Sequence, residues 1–266
     1  MERFFLLIVP IAAQLVLLYA ASVYLNRRLY KRLGLVGYLF FMWPGVIVHE
    51  LSHLAACLIT FTRIREVRVF EPRVEPSGDL LLGYVRHDEP RNPFAAMLIG
   101  AAPFFGGSAA LYLVFRVFIG RFDAASLAVA LPSQGAASVV AALAGAVASY
   151  AGFLYALASR LDWHSWATYV FLYLAAAVSS HAAPSRTDLK QTFIGLAEII
   201  ALAGIAVFIL YLAGIAVPEA GAAWLARSAL AVSGLLGCGL AGTGLFVIVV
   251  FLLETIPFLA RRAWQW

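Results

Sequence analysis

Apolar runs long enough to cross a lipid bilayer follow one another along almost the whole chain, and no other feature restricts its folding so tightly. They occupy about residues 4 to 25, 35 to 61, 93 to 118, 133 to 159, 164 to 183, 190 to 216 and 224 to 257. A hydrocarbon core of roughly 30 Å needs about 20 mostly apolar residues per helix, so each run reads as a candidate membrane helix. Composition agrees: 63% of residues are hydrophobic and 12% charged, against about 25% charged in a soluble domain. Mean hydropathy is +0.90. A soluble globular protein is thereby excluded, and residues 1–266 are expected to form a single integral-membrane domain. The first run follows only Met1, Glu2 and Arg3; without a basic leader or a small-residue cleavage site, it is expected to stay as an anchor. Cys57 and Cys238 lie inside apolar runs, as small buried hydrophobes do. The net charge of +5 comes from Arg and Lys in the short connections, as is usual in membrane proteins, and implies no nucleic-acid partner.

One stretch breaks the helical pattern. Thr62 to Pro93 carries six arginines. Within it Arg65, Glu66, Val67, Arg68, Val69 and Phe70 alternate polar and apolar, Pro76, Ser77 and Gly78 mark a turn, and Leu80 to Val85 run apolar again. Period-two alternation on either side of a turn predicts a β-hairpin, expected at the membrane surface.

The chemistry is concentrated in the second run, where His49, Glu50, Leu51, Ser52 and His53 form an HExxH sequence. Histidines at i and i+4 project from one helical face and can grip one metal ion, while the intervening glutamate can hold a water. Zinc polarises a carbonyl and lowers the pKa of bound water to about 7, and the glutamate takes the proton. With five His and fourteen Asp or Glu, chance supplies such a pattern in about one of two hundred chains of this composition. At bilayer depth each such side chain costs a few kcal/mol unless paired or liganded. The bland alternative is a polar patch satisfied by neighbouring helices. A catalytic zinc takes three protein ligands and keeps an open position; candidates for the third are His181, Asp188, Glu198 and Glu254. Asp188 follows Pro184, which ends a helix and frees backbone that could aim a carboxylate inward.

These residues resemble the site-2 protease family of intramembrane zinc metalloproteases. His49-Glu50-Leu51-Ser52-His53 is similar to the family's His-Glu-Leu-Gly-His, with Ser52 in place of glycine. Gly83, Tyr84 and Val85 match the Gly-Tyr-Val of its membrane-associated hairpin, and Gly100, Ala101, Ala102, Pro103 and Phe104 stand where a Gly-Pro-containing segment lies on its second core helix. Ser180, His181, Ala182, Ala183, Pro184 and Asp188 keep the spacing of the last motif without its Leu-Asp-Gly. The resemblance covers roughly residues 35 to 192. It implies an all-α polytopic fold with a catalytic core over 35–192, including the 62–92 hairpin. An anchor helix and loop (1–34) precede this core, and C-terminal membrane helices (193–266) follow it. It also implies one Zn2+ per chain held by His49, His53 and Asp188, with His181 the rival third ligand, and Glu50 as catalytic base. The expected activity is hydrolysis of a peptide bond in or near a transmembrane segment of a membrane-protein substrate. An exposed hairpin edge at Val67, Val69, Gly83, Tyr84 and Val85 could bind the unwound substrate by strand addition, while Arg65, Arg68 and Arg86 steer it or simply snorkel.

For His53 and Asp188 to share an ion, their helix ends must lie at one depth, which needs an odd number of crossings between them. The 133–159 run is therefore expected to lie along the interface or re-enter, leaving about six transmembrane helices in a multi-pass protein of the cell membrane. The resemblance puts the site towards the cytoplasm; Arg27, Arg28, Lys31 and Arg32 in the first loop argue for the opposite orientation. Two other functions fit the same residues. One is a catalytically inactive zinc-binding membrane protein serving as a regulatory or partner-binding subunit. The other is a transporter using His49, Glu50, His53 and Asp188 as an ion site.

Overall fold

The computed structural model describes residues 2–74, 80–120, 124–129, 136–213 and 219–263. The expected turn at Pro76, Ser77 and Gly78 and the side chain of Glu254 lie outside them. The chain is mostly helical: α1 (Glu2–Ile59), α2 (Pro93–Ile119), α3 (Ala136–Arg160), α4 (Trp166–His181), α5 (Arg186–Leu212) and α6 (Glu219–Ala263). Strands β1 (Ile64–Arg68), β2 (Arg73–Val74), β3 (Leu80–Leu81) and β4 (Tyr84–His87) separate α1 from α2, and a 3₁₀ turn at Ala124–Leu127 precedes α3.

α1 is two helices joined at Gly34, whose φ of 64° and ψ of −178° suit a residue without a Cβ. In a straight helix Asn26 and Tyr38 would stand about 18 Å apart. Instead the Tyr38 hydroxyl donates to Asn26 Oδ1 at 3.1 Å, so the arms 2–33 and 35–59 run back along each other. The main core forms where α1, α2, α4 and α6 meet, around Leu25, Leu111, Phe115, Phe171, Ala175 and Cys238, with Leu127 of the 3₁₀ turn closing one end. Lipid tails are as apolar as leucine, so helices in a membrane gain by close approach at small residues rather than by burial alone. Gly107 of α2 shows this: a Cβ there would stand 2.8 Å from the Ala182 Cβ. A second, polar clasp holds Gln14, which is 3% exposed. Its amide donates to the Ser233 carbonyl at 3.0 Å and to the Tyr150 hydroxyl at 3.2 Å, and its Oε1 accepts from Ser233 Oγ at 2.9 Å.

Among the described residues three helices are long and apolar enough to cross a membrane: Val9–Ile59, Pro93–Phe118 and Ala226–Phe251. This is fewer than the six or so expected, and two of the differences have physical causes. The two runs before residue 62 join into one helix folded in two at Gly34, and α4 has only 16 residues, about 24 Å of helix. α3 is a continuous helix that joins the core by one face, through Tyr150, Phe153 and the buried Leu157. Its Leu143, Val147 and Tyr155 are exposed.

The hairpin forms over the expected residues and packs lengthwise on the 35–59 arm. β1 pairs antiparallel with β4 (Glu66 opposite Arg86, Val67 opposite Val85, Arg68 opposite Tyr84), and β2 with β3. From its base at Ile64 and Val85, packed near Ala56 and Cys57, it runs back along the 35–59 arm until Phe70, Leu80 and Leu82 pack near Tyr38, Met42 and Val46. Those contacts follow the arm for about 28 Å of helix. The cause is the hairpin's apolar face, which needs an apolar partner throughout its length. Its outer face neutralises itself: Arg65 pairs with Asp88, Arg86 with Glu66, and Arg68 with both Glu66 and Glu71.

Candidate metal centre

His49 and His53 lie one turn apart on the 35–59 arm, and two neighbouring helices orient them. The His49 Nδ1 donates to the carbonyl of His181 at the end of α4 at 3.0 Å, and the His53 Nδ1 to the carbonyl of Ile99 in α2 at 2.9 Å. A carbonyl only accepts, so each ring carries its proton on Nδ1, and in the neutral rings each Nε2 presents a bare lone pair. This is how a histidine ligand is usually fixed from behind. The two Nε2 atoms face each other at 3.3 Å.

Glycines make both contacts possible. A Cβ on Gly45, one turn before His49, would collide with the Ala177 carbonyl of α4, and one on Gly100, beside Ile99, with the Asp188 carbonyl of α5. Ser52, where a glycine was expected by resemblance, fits because Gly106 of α2 faces it; its hydroxyl returns to the Val48 carbonyl at 2.6 Å.

Asp188 arrives from α5, which begins at Arg186 just after Pro184 and Ser185. Ser185 and Asp188 cap each other: the Asp188 Oδ2 accepts from the Ser185 amide at 2.8 Å, and the Ser185 Oγ accepts from the Asp188 amide at 3.2 Å. A capping box of this kind aims the carboxylate back across the helix start. The Asp188 Oδ2 thereby stands 3.4 Å from His53 Nε2 and 3.7 Å from His49 Nε2. One ligand atom from each of His49, His53 and Asp188 lies within 4.8 Å of the others. Tetrahedral zinc with bonds of about 2.0–2.1 Å separates its donors by about 3.3–3.4 Å, and the three distances fit that within a few tenths of an ångström. The donor set, two imidazoles and a carboxylate, suits zinc.

Glu50 is 7% exposed and lines a cavity of about 230 Å³ with His49, His181, Asn26, Leu82 and Gly83. The hairpin passes directly over it: a Cβ on Gly83 would stand 3.0 Å from the Glu50 Cγ. Of the other residues anticipated from sequence, His181 contributes its carbonyl rather than its ring to the cluster. Glu198 lies exposed on α5, ten residues beyond Asp188, about 15 Å along the helix. Val67 and Val85 face each other across the hairpin, Val69 follows the end of β1, and the Tyr84 hydroxyl donates to Glu66 at 2.8 Å. Ser185 was missed from sequence, although Ser185-x-x-Asp188 before an apolar run is a legible capping signature. Gly45, Gly100 and Gly106 left no comparable signal, because a glycine in an apolar run does not say what it faces.

No family model matches the chain, and no curated protein or solved structure is significantly similar to it.

Proposed function

We propose that the chain is an intramembrane zinc metalloprotease, with His49, His53 and Asp188 as metal ligands and Glu50 as general base. The observation that carries this reading is the pair of bare Nε2 atoms facing each other at 3.3 Å with a carboxylate beside them. Two lone pairs so placed repel unless a cation lies between them, and rings this deeply buried have little water to relieve them. When bound there, zinc supplies Lewis-acid polarisation of the scissile carbonyl.

The chain's own groups account for the rest. Glu50 takes the proton from the attacking water and returns it to the leaving amine nitrogen. The carbonyls of His181 and Ile99 hold the two imidazoles in one tautomer throughout. A helical substrate shields its carbonyls in its own hydrogen bonds, so it must unwind to be cut. The hairpin over Glu50, with Val67, Val69, Gly83, Tyr84 and Val85, is the proposed strand-addition surface. The finer topology belongs to the same proposal: six crossings, contributed by the two arms of α1 and by α2, α4, α5 and α6, with α3 along the interface and the site towards the cytoplasm.

Purified protein carrying Glu50→Gln tests the reading against co-expressed membrane-protein substrates. The substitution should retain zinc and lose cleavage by roughly 10²–10⁴-fold. Wild-type protein that binds zinc yet cleaves none of them would support a non-catalytic zinc protein. Altered ion flux in sealed vesicles, with substrates intact in both forms, would support a transporter.

A further inference from the structure

α4 ends at His181 because Pro184 closes the way forward, and a helix leaves its last four carbonyls without partners inside itself. Three consecutive ones are met from α1. The Ser179 carbonyl accepts from Ser22 Oγ at 2.9 Å, the Ser180 carbonyl from Asn26 Nδ2 at 2.8 Å, and the His181 carbonyl from His49 Nδ1 at 3.0 Å. Ser22 and Asn26 lie four residues apart, on one face of the 2–33 arm. Ser22 is wholly buried. Asn26 is held from its other side by the Tyr38 hydroxyl at 3.1 Å, so the amide cannot turn its NH2 away from α4 without losing that bond.

From this row of bonds we infer that Ser22 and Asn26 are positioning residues for the metal centre. They fix the frayed end of α4, and through its last carbonyl they fix the tautomer and direction of His49. The inference rests on the metal-binding reading above. It adds to that reading a role for the first arm, which carries no ligand. The mechanism is mechanical: Ser179, Ser180 and His181 are successive residues of one turn, so releasing the first two carbonyls lets the third move relative to the ring that depends on it. Partners bonded directly to a ligand alter metal affinity by roughly 10–100-fold, and residues one bond further out act at the lower end of that range.

The test uses full-length protein in detergent, measuring zinc affinity by chelator competition, the visible spectrum of the cobalt-substituted form, and thermal unfolding of metal-free protein. Asn26→Leu and Ser22→Ala should each weaken zinc binding by roughly 10-fold and shift the cobalt spectrum, whereas Ser22→Thr, which keeps the hydroxyl, should retain wild-type affinity and spectrum. Unchanged affinity and an unchanged spectrum in Asn26→Leu and Ser22→Ala overturn the inference, even where unfolding is easier, because ease of unfolding alone would reveal a purely structural role. Should Asn26→Leu fail to fold, the Ser22→Ala and Ser22→Thr pair decides by the same criteria. A wild-type protein without zinc affinity would overturn the metal centre itself; wild-type affinity that survives both substitutions overturns only the role of Ser22 and Asn26.

Discussion

Exchanging the glycine between two helices should be nearly harmless where adding a methyl to one of them is not. A Cβ built on Gly106 would overlap Ser52 Oγ and stand 2.6 Å from Ser52 Cβ. Rotating the hydroxyl does not relieve the second contact, so Gly106→Ala must push α2 and the 35–59 arm apart by about 1 Å to reach ordinary carbon contact distance. Overpacking of this kind costs about 1–3 kcal/mol, offset in part by the roughly 1 kcal/mol that alanine gains over glycine within a helix. Ser52→Gly alone forfeits a smaller amount of helix propensity. In the double variant the nearest Ser52 atom left is the Cα, at 3.6 Å, an ordinary contact, and the propensity changes largely cancel. The double variant should therefore sit near wild type, with a coupling of about 1–3 kcal/mol between the two sites. Denaturant unfolding in mixed micelles measures it. Zinc affinity should follow the same pattern, since moving α2 away from the arm moves the Ile99 carbonyl away from His53. Losses that simply add, with coupling below about 0.5 kcal/mol, would refute the account of Ser52 resting in the space Gly106 leaves.

Other expectations address separate parts of the molecule. Ser185→Ala removes one half of the box that aims Asp188 and should cost about 1 kcal/mol, seen as weaker zinc binding in chelator competition with α5 still helical by circular dichroism. Gln14→Leu removes the bonds that tie the first arm to Ser233 and Tyr150, whose hydroxyls keep Val129 and Leu127 as partners, so unfolding should become easier by about 1 kcal/mol per bond lost while zinc affinity stays at the wild-type value. Arg65, bonded to Asp88, holds that exposed carboxyl below the ordinary carboxylate range. A depressed folded value means that the pair supports the hairpin fully above the ordinary carboxylate pKa and loses this support as pH falls through the lowered value. Glu66 is likewise held low by its bonds from Tyr84 and Arg68, so protection of amides between Ile64 and His87 against hydrogen exchange, corrected for intrinsic rate, should fall only in acid. Asp88→Asn should reduce that acid dependence, and adding Glu66→Gln should reduce it further.

Local chemistry was legible in the sequence, and distances between helices were not. His49, Glu50 and His53 declared themselves because three costly side chains in five residues of an apolar run have few uses. Asp188 could be ranked but not chosen from the residues alone, because its direction depends on the Ser185 cap and on how closely α5 approaches Gly100. The hairpin was visible as alternation around a turn. Its course along the 35–59 arm was not, since alternation marks an apolar face without naming what will cover it. The break between the first two runs was also visible, yet only the backbone at Gly34 and the bond between Asn26 and Tyr38 show that the chain doubles back there. Hydrophobicity alone did not distinguish the runs, and only the depth that His53 and Asp188 must share set the 133–159 run apart. The structure separates the 16-residue α4, packed against α1, α2 and α6, from α3, which meets the core by one face and leaves Leu143, Val147 and Tyr155 exposed.

The donors of the candidate centre also impose an order in time. Asp188 follows His53 by 135 residues, so a ribosome adding about 5–20 residues per second needs on the order of ten seconds to supply it after the two histidines are made. Until α5 emerges, the imidazoles can hold an ion only as a pair, although Ile99 and then His181, whose carbonyls orient them, have already been made. On the proposed reading, completing the centre is thus a late event in biogenesis, and it ties the first third of the polypeptide to its last third.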